Sequence, residues 1–79
     1  MTRKRYVKLL MACGYPRRDC EEGGREARIS RTSYREDLEC RAFGLRVTAN
    51  FCSVEWEAQF RRRAADILRR ALYGEVAHE

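Results

Sequence analysis

Along this chain apolar residues return every three to four positions in four stretches, separated by Gly, Pro and Ser. The longest runs over residues 53–73, SVEWEAQFRRRAADILRRALY. On a 3.6-residue wheel Trp56, Phe60, Ala64, Ile67, Leu68 and Ala71 fall on one arc, with Leu72 at its edge. Ser53 reads as an N-cap, and Glu55 and Glu57 suit the positive end of the helix dipole. Arg69 and Arg70 suit the negative end, and Gly74 reads as the C′ residue. A helix of this length spans roughly 30 Å, the width of a small domain, so the other segments are expected to pack on it.

The pattern before it predicts three shorter helices. Thr2 caps the first, over residues 3–13, with Gly14 ending it. Tyr6, Leu9, Leu10 and Cys13 share its apolar face, widened by Val7 and Met11, while Lys4, Arg5 and Lys8 take the other. Pro16 at N1 opens the second, over residues 16–28, whose Cys20, Gly23, Gly24 and Ala27 form a small-residue face. Each glycine in a helix interior costs about 1 kcal/mol relative to alanine. The pair therefore implies close approach to another backbone, or a helix that stops near Glu22. Ser33 with Glu36 is a capping-box pattern before Tyr34, Leu38, Ala42 and Leu45, giving a third helix over residues 34–43.

A period-two pattern competes for the same region. Leu38, Cys40 and Ala42, then Leu45, Val47, Ala49 and Phe51, alternate around Gly44 and would suit a short hairpin. The caps and the neighbouring helices favour a helix followed by an extended connector. The expected fold class is thus all-α, a small bundle of three to four helices with a long C-terminal helix; the alternative is α+β with a hairpin around Gly44. Residues 75–79 read as a frayed tail.

Size and charge narrow the function. With 79 residues the chain has room for one core, so residues 1–79 form a single domain. Short domains are marginally stable alone, which makes a partner or self-association expected. The net charge of +5 leans toward an acidic partner. Its placement is uneven: residues 1–18 hold Arg3, Lys4, Arg5, Lys8, Arg17 and Arg18 and no acid, whereas residues 19–39 hold seven acids against four arginines. On the last helix Asp66 lies within three or four residues of Arg62, Arg63, Arg69 and Arg70, and one carboxylate cannot neutralise four guanidiniums. A solvated surface accounts for such a face, and so does an anion-binding one. A helix-turn-helix reading fails on charge, because the second helix would carry Asp19, Glu21, Glu22 and Glu26 toward phosphates.

Candidate site chemistry is sparse. Cys13, Cys20, Cys40 and Cys52 lack the close pair of a zinc site, and His78 stands next to the last residue, so no metal or cofactor is expected and the thiols read as free and buried. Leu10-Met11-Ala12-Cys13 looks like a lipoprotein box, yet the apolar run before it is broken by Lys8, so neither secretion nor membrane anchoring is expected. With no clustered nucleophile, base or metal, the chain is expected not to be an enzyme.

The opening stretch RKRYVKLLMACGYPRRD resembles the start of small uncharacterised proteins of phages and prophages of gut bacteria, over about the first twenty residues. Those begin with a basic run, an aromatic, a Lys-Leu-Leu-Met-like helix, a Gly turn and an Arg before an acidic or amide residue. The resemblance implies a phage accessory protein acting in the host cytoplasm. Some small phage proteins, anti-CRISPR proteins among them, block host machinery by occupying a nucleic-acid or protein surface; no functional residue carries over. The leading expectation is a non-enzymatic inhibitor of a host nucleic-acid-handling complex, binding an acidic protein surface or nucleoprotein through Arg3, Lys4, Arg5, Lys8, Arg62, Arg63, Arg69 and Arg70. The alternatives are a direct DNA- or RNA-binding regulator using the same residues, and a structural or assembly protein acting as a homo-oligomer.

Overall fold

The computed structural model describes residues 1–74; the expected tail and His78 lie outside the described residues. Helices α1 (Arg3–Ala12), α2 (Arg17–Ile29), α3 (Tyr34–Ala49) and α4 (Glu55–Arg69) follow in order, and α4 runs on into a π-helical turn, Arg70–Gly74. No strand occurs among the described residues, so the fold is an all-α bundle. Its shortest extent is 19 Å, room for about two helix diameters.

Local chemistry sets most of the ends. The Thr2 hydroxyl accepts from the Arg5 N–H at 3.2 Å, and the Ser33 hydroxyl accepts from the Glu36 N–H at 3.1 Å. Helices α1 and α2 both close in Schellman turns. In the first, the Tyr15 N–H reaches Leu10 O and the Gly14 N–H reaches Met11 O, with Gly14 at φ 103°. In the second, the Thr32 N–H reaches Ala27 O and the Arg31 N–H reaches Arg28 O, with Arg31 left-handed at φ 60°. Two expected starts differ. Pro16 is the N-cap of α2 and not its first residue, and α4 is capped by Val54 with no side-chain bond from Ser53. Gly74 belongs to the π turn itself.

Helix α3 passes straight through Gly44 to Ala49, which removes both the extended connector and the hairpin alternative. The physical reason lies in its partner. The short connection after α3 returns the chain antiparallel: Arg35, in the first turn of α3, donates to Leu72 O at 3.1 Å, and Arg61 of α4 donates to Thr48 near its end at 2.9 Å. That register sets Ala42 opposite Ala65 and Ala49 opposite Ala58, all four buried. Small residues a heptad apart on both helices let the backbones approach closely, which a strand pairing would forfeit.

The core gathers around Tyr6, Leu10, Cys13, Cys20, Leu38, Ala42, Ala64, Leu68 and Leu72. Tyr6 is its centre. Its ring sits 5.0 Å from that of Tyr34, and its hydroxyl donates to Asp37 Oδ2 at 2.6 Å. The same oxygen accepts from Arg41 Nε at 2.7 Å. Gly23 lies under this hub; a methyl there would stand 2.9 Å from both Tyr6 Oη and Arg41 Nη2. The small-residue face of α2 is buried as expected, but tyrosine and arginine side chains fill the space, not a neighbouring backbone.

The inward arc of α4 also departs from expectation. Ala64, Leu68 and Leu72 are buried, Phe60, Ile67 and Ala71 are half-buried, and Trp56 is 72% exposed. Two neighbours share this helix. The α3 side covers Ala58 and Ala65, while α1 reaches along it only as far as Phe60, against whose ring Gly14 is packed. No part of α1 extends over the turn that carries Trp56, so this side chain borders an open groove with Tyr15, Leu45 and Phe60.

Candidate binding interface

On the outer side of α4, Arg62, Arg63, Arg69 and Arg70 are all exposed. Four other arginines of the bundle are held by a carboxylate four residues away: Arg17 by Glu21, Arg35 by Glu39, Arg41 by Asp37 and Arg61 by Glu57. Among the described residues, none of the four on the outer side of α4 forms an ion pair, and Asp66 takes none of them despite its spacing.

The structure divides these arginines. Arg62, Arg63 and Arg70 line one open hollow of about 510 Å³ together with Gln59, Asp66 and Ile67. Arg69 turns toward α3 and borders a smaller hollow of about 160 Å³ with Glu39, Ala42, Phe43, Arg46 and Tyr73. Arg46 was not a candidate from the sequence; its proximity to Arg69 is a product of the antiparallel α3–α4 register.

The basic residues of α1 approach the same end of the bundle. The Cys13 thiol donates to Ala64 O at 3.5 Å, while Tyr6 packs on Tyr34 at the start of α3, where Arg35 meets Leu72. Following α1 back toward its N-terminus therefore leads to the C-terminal turn of α4. Exposed Arg3, Lys4 and Arg5 share that end with Arg69 and Arg70, and Lys8 lies one turn further along. Arg3 has a second role, its Nε within van der Waals reach of where a Gly24 methyl would be.

The cysteines follow burial. All four are free; Cys13 and Cys20 are buried, Cys52 is half-buried, and Cys40, against expectation, is exposed. Burial pushes the Cys13 thiol up to about 11 and also raises Cys20, so both stay protonated at neutral pH. Burial, followed by the bond to Asp37, likewise holds the Tyr6 hydroxyl well above the usual range. Among the described residues no group of three or more His, Cys, Asp or Glu could hold a metal ion, and no helix is long and apolar enough to cross a membrane. No protein family, curated protein or solved structure matches the chain.

Proposed function

We propose that this protein is a non-enzymatic binding protein of the phage accessory type, which blocks a host nucleic-acid-handling complex in the manner of anti-CRISPR proteins. It engages an anionic surface of that complex through the outer side of α4. The observation that supports this reading is the open hollow where Arg62, Arg63 and Arg70 converge with no carboxylate bonded to them. Guanidinium groups left hydrated and forked suit bidentate contacts to carboxylate or phosphate oxygens. Basic residues of α1 at the same end of the bundle extend the field that steers an anionic partner.

Charge reversal tests it. Arg62, Arg63 and Arg70 changed together to Glu should leave the helical circular dichroism signal unchanged, because all three side chains are solvated. The same variant should lose co-purification with a CRISPR-type effector from nuclease-treated bacterial lysate. Retained binding would remove this surface from the reading. Direct DNA or RNA binding would use the same residues and is distinguished by salt: three phosphate contacts predict a logarithmic slope of roughly −3 in gel retardation of duplex DNA. Capture that survives nuclease, without retardation at low salt, favours the protein-directed reading.

A further inference from the structure

We infer that the outer face of α3 is the self-association surface of a two-fold dimer, in which Phe43 of each copy seats in the hollow between α3 and the C-terminal turn of the other. This proposal stands independently of the anionic-partner reading.

Phe43 and Val47 stand four residues apart on the side of α3 facing away from the core, and Phe51 follows in the turn just beyond the helix. They are 64%, 37% and 83% exposed, and Tyr73, which borders the same hollow as Phe43, is 51% exposed. A buried aromatic side chain covers roughly 150–250 Å², so Phe43, Phe51 and Tyr73 leave on the order of 400 Å² of apolar surface to water. A standard interface takes about 800 Å² from each partner, about two-thirds of it apolar when the partner is a second copy. The stripe supplies most of that apolar share, whereas scattered surface apolar residues would not.

Charge chooses the arrangement. Glu39 and Arg46 stand a heptad apart along the same edge of the stripe, both bordering the hollow beside Phe43. A parallel pairing of two α3 helices would set Glu39 on Glu39 and Arg46 on Arg46. An antiparallel pairing sets Glu39 of each copy against Arg46 of the other, with the two-fold axis midway, beside Phe43. A two-fold contact is self-complementary, so one copy must offer both the knob and the recess. Here it does. The hollow measures about 160 Å³ with Ala42 among its lining.

Sedimentation equilibrium of the full chain tests the arrangement. The expected result is a dimer that dissociates on dilution through the micromolar range. Phe43→Glu should be monomeric at the same concentrations with unchanged helical signal, since the side chain it replaces lies outside the core. Glu39→Arg should weaken the dimer by roughly tenfold or more, and the double change Glu39→Arg with Arg46→Glu should restore it. Glu39 also pairs with Arg35 within the chain, so recovery in the double variant is the decisive arm. A wild-type chain that stays monomeric at hundreds of micromolar, a species larger than a dimer, or a double variant no better than the single would overturn the proposal.

Discussion

The hub beneath α2 and the outer side of α4 each set an aspartate beside arginines, with opposite results. At the hub, Asp37 precedes Arg41 by one helical turn, and Tyr6 from α1 closes on the same carboxylate oxygen. Charges partly withdrawn from water there lose more when left unpaired than exposed ones do. On α4, Asp66 is equally close in sequence to Arg62 and Arg70, but all three are exposed and no pair forms. Exposed ion pairs are worth little, so nothing compels these side chains to settle on one another. Spacing offers a pair, taken up even by exposed Arg17 and Glu21; burial at the hub is what makes leaving one unmade costly.

The comparison breaks most sharply at Tyr6. Tyr6→Ala empties the centre of the core and should cost about 3–5 kcal/mol, enough to unfold much of a domain this small. Tyr6→Phe keeps the ring and leaves Asp37 bonded to Arg41, for a cost of about 1 kcal/mol. Urea titration followed by circular dichroism reads both. Equal losses from the two variants would mean that the hydroxyl, not the ring, carries the site.

Alkali probes the same interior. The folded chain holds Cys13 protonated up to about pH 11, against 9.0 for an ordinary thiol, and Tyr6 is raised as well. An acid whose folded pKa is raised contributes its full stability below the unfolded pKa and loses it as pH rises through the folded one. The urea midpoint should therefore fall between about pH 9 and pH 11, the interval set by Cys13. A flat profile across that interval would contradict the burial of these groups.

Smaller effects separate two helical glycines. Gly23→Ala gains about 1 kcal/mol of helix propensity but drives a methyl into Tyr6 Oη and Arg41 Nη2, both anchored on Asp37, so a net loss of about 1–2 kcal/mol is expected. Gly44→Ala meets nothing within 4 Å and should gain about 0.5–1 kcal/mol. Thermal melts of the pair give the sign of each. At the low end of the scale, Arg62→Ala or Arg63→Ala should move stability by less than about 0.5 kcal/mol.

Helix number, the Thr2 and Ser33 caps, the Gly14 stop and the buried small face of α2 were all legible in the letters, because caps and periodicity act within a turn or two of themselves. The exposed state of the candidate arginines was legible too, since four guanidiniums sharing one nearby carboxylate have no reason to leave water. The continuation of α3 through Gly44 was hidden by an alternating pattern that suits strand and helix equally. A signal for it existed in the heptad-spaced alanines Ala42 and Ala49 in α3 and Ala58 and Ala65 in α4.

What the sequence alone determined is therefore local: the Thr2 and Ser33 caps and the Gly14 stop, which residues prefer water, and how charge is distributed along the chain. Only the tertiary structure decided which side of α4 faces inward, that Trp56 borders a groove, that Arg46 meets Arg69, and that Tyr6, Asp37 and Arg41 share one bonded hub. Those outcomes depend on how far a neighbouring helix reaches and on which side it packs. They are set by contacts between segments distant in the chain, to which periodicity within one segment is blind.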